Sequence, residues 1–352
     1  MSEKEKKIKI LHCMYAEKFI QPYINFISTN FNLKEHFFLI RQDDKYQIQK
    51  NKNILMLKNG ESKFSRIKIY YNLFDKSEKI ILHGILSKEM WMILFFRPSA
   101  LKKCYWIIWG GDLYSYLHRD PGIKHYIFER IMKSVISRIG FLLTFLEDDF
   151  KLARSRYGAT GKYIECLMYP SIMVEKKTFK KAYKGKAINI LLGNSAFHTN
   201  NHKDLIDKLA SYSSKKIKIY CPLSYGPKKY AEEIEIYGKM ILNDKFTTIK
   251  KILPLDQYLS FLEKIDIALF DHKRQQALGN TISLIQRGAK IYMDDKTSQF
   301  NLFTRLNIAV FSNKNFELSR LPSKLRYKNK ANVEKFFSLD RLTMQWGKIF
   351  NN

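Results

Sequence analysis

KILPLDQYLSFLEKIDIALFDHKRQQALGNTISLIQRGAKIYM, from Lys251 to Met293, holds the pattern that decides the fold. A strand ending at Ile252-Leu253 meets a proline loop, and a helix follows over Asp256 to Lys264. DIALF (Asp266 to Phe270) is a second strand, a polar loop leads into a helix from Asn280 to Arg287, and AKIYM (Ala289 to Met293) is a third. Short apolar runs separated by stretches long enough for helices predict a parallel sheet with crossovers, because only a sheet buried on both faces tolerates such continuously apolar strands.

The same alternation extends in both directions. Upstream lie INILLGNS (Ile188 to Ser195), a helix from about Asn201 to Tyr212, KIKIYCPL (Lys216 to Leu223) and a helix near Lys228 to Tyr237. Before them, the periodicity lapses between Val174 and Lys186 into EKKTFKKAYKGK, which reads as a domain boundary. The first half repeats the theme in KIKILHCMY (Lys7 to Tyr15), FFLIR (Phe37 to Arg41), NILML (Asn53 to Leu57), KIILHG (Lys79 to Gly84), CYWIIWGGD (Cys104 to Asp112) and GFLLTF (Gly140 to Phe145). The expected fold class is therefore α/β, with two doubly wound, Rossmann-like domains facing a cleft. They are assigned to residues 1–175 and 187–331, and residues 332–352 form a terminal helix packing back on the first.

Composition narrows the function. The chain has 352 residues, 45% of them hydrophobic and 14% aromatic, which excludes general disorder. Its 62 Lys+Arg against 33 Asp+Glu give a net charge of +29, so nucleic acid, anionic lipid and phosphorylated small molecules are all candidate partners. The densest apolar run, Met90 to Phe96, is far shorter than a bilayer span, and the charged N-terminus has no secretory h-region, which predicts a cytoplasmic protein. The 4 cysteines, Cys13, Cys104, Cys166 and Cys221, are scattered and read as buried thiols, without a zinc or disulfide framework.

Candidate chemistry sits at strand ends. Gly279-Asn280-Thr281 opens a helix whose free N–H groups and partial positive charge suit a diphosphate, with Arg274 as a forked cation and Gln275 as an amide donor; an ordinary N-cap is the competing reading. Gly193-Asn194-Ser195 ends another strand, beside His198 and Asn200, where backbone amides can face a ligand or merely turn into the next helix. In the first half, Asp112 follows Trp109-Gly110-Gly111 at a strand end and His83 ends another. A carboxylate and an imidazole are suited to taking a hydroxyl proton, while helix capping and a structural histidine are the alternatives. The acidic stretches Glu147-Asp148-Asp149 and Asp294-Asp295 read as solvated surface, and neither a metal nor a cofactor is expected.

Arg119 to Arg138 (RDPGIKHYIFERIMKSVISR) places Ile123, Ile127, Ile131, Val135 and Ile139 at near-helical spacing, decorated by Lys124, Arg130, Lys133 and Arg138. Such a helix suits an anionic leaflet, or a core position with a solvated face. The total charge shifts the balance toward the membrane.

Taken in order, HG at His83, WIIWGGDLY (Trp106 to Tyr114), LLGNS (Leu191 to Ser195), YCPLSYG (Tyr220 to Gly226), and RQQALGN with LIQRGAK (Arg274 to Lys290) resemble the TDP-N-acetylfucosamine:lipid II N-acetylfucosaminyltransferases. The likeness spans roughly residues 8–350 and departs at Gly111, at Ala196-Phe197-His198 and around Tyr225-Gly226-Pro227-Lys228. It implies a GT-B fold, a dTDP-sugar donor, a polyprenyl-diphosphate-linked saccharide acceptor and a peripheral place on the cytoplasmic face of a bacterial inner membrane. On this resemblance Gly193, Asn194, Ser195, Arg274, Gln275, Gln276 and Gly279 match the blocks of the donor side, to which Asn280 and Thr281 at the helix start and Tyr225 on the neighbouring loop are added by position. His83, Trp109, Gly110, Asp112 and Tyr114 match the block of the acceptor side, where Gly111 joins them by position, and Asp112, or failing it His83, orients or deprotonates the acceptor. The rivals are a GT-B enzyme using another nucleotide sugar and a basic nucleic-acid-binding protein; dispersed lysines and no nucleic-acid-binding motif count against the second.

Overall fold

The computed structural model describes residues 7–118, 122–174, 185–272 and 276–351. The chain runs β1 (Ile8–Tyr15), α1 (Ile20–Asn30), β2 (His36–Arg41), β3 (Ile54–Leu57), α2 (Lys63–Lys76), β4 (Ser77–His83), α3 (Lys88–Phe95), α4 (Pro98–Leu101), β5 (Cys104–Ile107), α5 (Gly110–Leu113), α6 (Ile123–Ile136), β6 (Phe141–Thr144), α7 (Glu147–Tyr157) and β7 (Lys162–Glu165). It continues with β8 (Ile188–Leu192), α8 (His202–Ala210), β9 (Ile217–Pro222), α9 (Lys228–Leu242), β10 (Phe246–Ile249), α10 (Leu255–Leu262), β11 (Ile267–Leu269), α11 (Leu278–Gln286), β12 (Lys290–Met293), α12 (Ser298–Arg305), β13 (Phe311–Ser312), α13 (Ser323–Phe336) and α14 (Leu339–Asn351). It forms two compact units, Met1–Ser171 with Leu339–Asn352, and Ile172–Ser338.

The first unit is built on a seven-stranded sheet in the order β3-β2-β1-β4-β5-β6-β7, and neighbouring strands are parallel. Strand alternation decides which side chain meets which layer. Leu11 and Cys13 of β1 and Ile80 and Leu82 of β4 join a core with Trp91, Trp106 and Val135. The intervening positions, His12 and His83, turn to the opposite face, where their rings meet Tyr23 of α1. The Trp346 ring of α14 lies against Tyr23 there, fully buried, so truncation to alanine would cost about 3–5 kcal/mol. α7 shows how local chemistry sets an element: Glu147, Asp148 and Asp149 fill its first turn, Arg154 and Arg156 its last, and Gly158 closes it in a left-handed conformation at φ 69°.

The second unit carries a six-stranded parallel sheet in the order β10-β9-β8-β11-β12-β13. Ile190, Leu192, Ile219, Cys221, Ile267 and Leu269 form its core with Leu205 and Ile234 from the covering helices. All four cysteines are buried and free.

The sequence pattern differs from the structure at weak signals. β7 (KYIE) and the two-residue β13 escape it because neither carries an apolar run. β10 ends at Ile249 rather than at Leu253, since Pro254 has no N–H for a ladder and serves as the N-cap of α10. The terminal helix expected over residues 332–352 is two helices, because the buried Phe337 leaves helical geometry at φ −118°, ψ 40°. Most of the lysine-rich stretch read as a boundary, residues 175–184, lies outside the described residues.

Candidate functional site

In each sheet the chain first builds strands to one side, then returns and builds to the other. The reversal opens a crevice at the carboxyl ends of two neighbouring strands, where ligands of such folds bind. In the second unit these strands are β8 and β11. Gly193 leaves β8 at φ +67°, donating its N–H to the Leu269 carbonyl at 2.9 Å. A Cβ there would lie 2.7 Å from His202 Nε2 and 3.0 Å from Asn200 Oδ1, so only glycine fits.

Around that turn the polar side chains hold one another. Asn200 Oδ1 accepts the Asn194 amide at 3.0 Å and lies 2.9 Å from His272 Nε2, while Asn200 Nδ2 donates to Ser195 Oγ at 3.1 Å. Asn194 Nδ2 donates to the Tyr225 hydroxyl at 2.7 Å, and Gln276 Nε2 donates to Asn194 Oδ1 at 2.9 Å. Thr199 Oγ1 donates to Gln276 Oε1 at 2.9 Å, which ties the loop after β8 to the loop before α11. Tyr225 and Phe197 are 45% and 43% exposed and meet edge to face, giving the crevice an aromatic rim. His202 is fully buried with Nδ1 3.2 Å from the Tyr230 hydroxyl, and its Nε2, facing Gly193, has no hydrogen-bond partner among the described residues. Burial, then His198, brings its pKa down to about 4, so the ring is neutral.

The helix expected to open at Gly279-Asn280-Thr281 begins earlier. Ala277 takes a left-handed conformation at φ 57°, which turns the chain so that α11 starts at Leu278 and Gly279 lies inside its first turn. Ala277 offers no side-chain cap, and the first internal bond runs from the Thr281 amide to the Ala277 carbonyl at 2.9 Å. The amides of Leu278, Gly279 and Asn280 thus have no acceptor within the helix. Thr281 is buried and bonds the Ala277 carbonyl through Oγ1 at 3.0 Å, whereas Asn280 is half-buried. Arg274 and Gln275 lie outside the described residues.

In the first unit the reversal falls between β1 and β4. His83 ends β4, and Gly84 follows at φ +75° directly under the Trp109 ring, where a Cβ would come 2.9 Å from Cδ2. His83 is fully buried, with Nδ1 2.8 Å from the Tyr169 hydroxyl and Nε2 3.2 Å from His12 Nδ1. Burial pushes its pKa down to about 3. Asp112 is 2% exposed: Oδ2 accepts the Ile85 amide at 3.0 Å and the Trp106 indole N–H at 2.8 Å, and Oδ1 accepts the Leu113 amide at 2.8 Å. Burial raises its pKa to about 7 against the opposing pull of those bonds. It lies within α5, whose N-cap is Trp109. Trp109 and Gly110 are half-buried and Gly111 is exposed, while Tyr114 donates to Asp149 Oδ1 at 2.8 Å. Asp149 is therefore buried and bonded, not solvated as its acidic run suggested; Asp295, by contrast, pairs with Lys314 at 2.9 Å on the surface.

His12, Tyr169, His202 and His272 drew no attention in the sequence. His12 and His272 carry one signal, a polar ring within or just after an apolar strand; Tyr169 and His202 carry none, since the first follows the weakly apolar β7 and the second opens α8.

Two parallel-sheet units, each with a crevice at its strand reversal, and a glycine turn facing an uncapped helix start define a glycosyltransferase of the GT-B fold. Solved structures share that fold along nearly the whole chain. Sucrose-phosphate synthase from Thermosynechococcus elongatus superposes with a TM-score of 0.69 at 7% identity, covering 97% of this chain and 98% of that one. Anabaena HepE in complex with UDP and glucose gives 0.67 at 10% identity over 98% and 99% of the two chains. A glycosyltransferase from Rickettsia africae gives 0.66 at 11% identity over 98% of each. The profile of glycosyl transferase group 56, the 4-alpha-L-fucosyltransferases, matches residues 17–344, and the chain belongs to that family.

Proposed function

We propose that this glycosyltransferase moves a deoxy-amino sugar, 4-acetamido-4,6-dideoxygalactose (Fuc4NAc), from its dTDP donor to an undecaprenyl-diphosphate-linked oligosaccharide during synthesis of a cell-surface polysaccharide, enterobacterial common antigen or O-antigen. The observation that carries the donor side is the pairing of the Gly193 turn with the uncapped start of α11 at one strand reversal. Negative charge grows on the departing dTDP as the bond to the sugar breaks, and fixed backbone N–H groups stabilise it without reorganising. Gly279 lets the backbone approach the diphosphate, with Asn280 next to it and Thr281 bracing the turn from within; Arg274 and Gln275 are given to the same group on the resemblance alone. Asn194, Ser195 and Tyr225 then meet the nucleotide or the transferred sugar. The resemblance of the WIIWGGDLY and RQQALGN blocks supports the particular sugar.

On the acceptor side, Trp109, Gly110, Gly111 and Tyr114 are assigned in this reading to the acceptor saccharide. Asp112, bonded to the Ile85 amide, holds this loop to the chain leaving β4, and His83 reaches the Trp109 indole through the Tyr169 hydroxyl; orienting or deprotonating the acceptor is the part given to Asp112, or failing it His83. Attachment to an anionic leaflet has its own support in α6. Ile123, Tyr126 and Ile127 are 81%, 57% and 53% exposed beside the exposed Lys124, Arg130 and Lys133. Among the described residues no helix is long and apolar enough to cross a membrane.

The test is thermal stabilisation by dTDP, UDP and GDP, followed by mass spectrometry of a lipid-linked product. dTDP should raise the melting temperature most, and product should appear with dTDP-Fuc4NAc. A stronger response to UDP or GDP would move the enzyme to another nucleotide sugar.

A further inference from the structure

A line of hydrogen bonds crosses the first unit beneath the Trp109 loop. Trp109 Nε1 donates to the Tyr169 hydroxyl at 3.2 Å, and that hydroxyl lies 2.8 Å from His83 Nδ1. His83 Nε2 is 3.2 Å from His12 Nδ1, and His12 Nε2 is 2.9 Å from His36 Nδ1. The histidines come from β4, β1 and β2, three adjacent strands, and strand alternation brings all of them to one face of the sheet. Except for Trp109, every member is at least nine-tenths buried: His12 and His83 at 0%, His36 at 3% and Tyr169 at 7% exposure.

The direction of the line follows from counting hydrogens. The Tyr169 oxygen receives the indole N–H, and among the described residues its own hydrogen finds an acceptor in His83 Nδ1. His83 then carries its proton on Nε2 and donates to His12, which carries its proton on Nε2 and donates to His36. With each ring neutral and accepting at Nδ1, reversing any single link would leave two hydrogens or two lone pairs face to face, and reversing the whole line would leave the Tyr169 hydrogen with no acceptor among the described residues. Packing holds the rings in place: His12 stacks on Phe38 at 4.7 Å between centroids, and His36 meets the Phe350 ring at 4.6 Å. At the upper end the indole has little freedom. Gly84 sits beneath it, and Phe19 meets it edge to face at 5.0 Å.

We propose that Tyr169, His83, His12 and His36 are positioning residues, a one-way hydrogen-bond chain that fixes the Trp109 indole as a stacking platform for a saccharide ring. A sugar presents one face of C–H groups, which lies flat on an indole, and a platform of this kind contributes only if its plane is set before the ligand arrives. The saccharide assignment rests on the acceptor side proposed above; the chain's control of the indole does not.

The experiment uses the full-length protein with 15N-labelled tryptophan, whose 4 indole resonances are sorted by Trp109→Phe and Trp91→Phe. Tyr169→Phe, which removes one hydroxyl, should shift the Trp109 indole N–H and speed its hydrogen exchange while leaving Trp91 in place. His36→Gln, at the far end, should move the same resonance. With dTDP-Fuc4NAc and a short-chain polyprenyl-diphosphate-linked disaccharide as probes, Tyr169→Phe should raise the acceptor KM about fivefold, the size of one lost hydrogen bond, with donor KM unchanged and kcat within about twofold. His83→Asn, which keeps an acceptor near the Nδ1 position, should restore part of what His83→Leu loses. A stationary Trp109 resonance in folded Tyr169→Phe, or an equal rise in both KM values, overturns the proposal. Should His36→Gln fail to fold, Tyr169→Phe carries the test. If the donor is not used at all, the function proposed above fails, and the indole resonance still decides whether the chain governs Trp109.

Discussion

Asp112 Oδ2 accepts the Trp106 indole N–H at 2.8 Å, and it accepts the Ile85 amide through the same oxygen. One buried carboxylate thus joins the end of β5 to the chain leaving β4, and the loop bearing Trp109, Gly110 and Gly111 hangs from that joint. Asp112→Asn keeps one oxygen but turns an NH2 group toward an N–H donor. The expected result is a loss of about 1–3 kcal/mol of stability, read as a lower urea midpoint, with activity falling through acceptor KM. A fully stable variant with kcat reduced a thousandfold would instead make Asp112 the group that takes the proton.

Gly193 has a different constraint, a left-handed φ of +67° together with no room for a Cβ against His202 and Asn200. Gly193→Ala must push His202 away or twist the turn, at a cost of about 1–3 kcal/mol. Thermal stabilisation by dTDP should vanish in this variant, whereas Gly60→Ala, where a Cβ meets nothing within 4 Å, should behave as wild type. Retained nucleotide stabilisation in Gly193→Ala would remove the turn from the donor site.

Acid should destabilise the protein well before its carboxylates protonate. His12 is held well below the ordinary histidine value by burial and then by His36 and His83, while burial brings His83 to about 3 and His36 and His202 to about 4. The unfolded chain takes up these protons near pH 6.5. The stability that neutral rings contribute is thus complete above pH 6.5 and falls as the pH drops toward 4. Around His36, Glu35 favours the charged form and Lys9 and Lys79 oppose it. Asp112, raised to about 7, works in the other sense, since it gains its proton in the folded state first. Four histidines against one carboxyl leave a net loss of about 3 kcal/mol between pH 6.5 and 5.5. The check is the urea midpoint across that range, and the slope should flatten in His36→Gln. A midpoint independent of pH would mean that the rings are protonated in the folded protein.

What the sequence made legible follows from how each feature is encoded. The parallel strands were readable because β1, β4, β5, β8 and β11 are continuous apolar runs, a signal carried by adjacent residues. The ends of those strands were readable as well, so His83, Trp109, Gly193 and the loop before α11 could be picked out. Their partners could not. Tyr169 meets His83 across 86 residues of chain, and His202 meets Gly193 across a turn whose shape the sequence does not print. Asp149 looked solvated because its neighbours Glu147 and Asp148 are acidic, yet the Tyr114 hydroxyl that buries it comes from another element. The start of α11 was placed late because the left-handed turn into it falls at Ala277 rather than at Gly279, and alanine gives no sequence signal for a positive φ.

Helix α6 gives the sharpest test of membrane attachment. Its last two turns bury Met132, Val135 and Ile136, so the helix is anchored at one end, while Ile123, Tyr126 and Ile127 at the other end face water. Arg130 lies over the Tyr126 ring at 4.9 Å and donates to its hydroxyl, which puts cation and aromatic ring together on one face, as at a headgroup boundary. Each basic residue near an anionic leaflet contributes about 1 kcal/mol, so replacing Lys124, Arg130 and Lys133 with glutamate should weaken binding to phosphatidylglycerol vesicles by at least about a hundredfold. Ile123→Ser with Ile127→Ser should weaken it further, and by an amount that added salt does not change, because the apolar contribution is unscreened. Both variants should keep their stabilisation by dTDP, since α6 and the Gly193 turn belong to different units. Vesicle binding equal to wild type in the glutamate variant would exonerate α6 and direct attention to the basic stretch near Lys186.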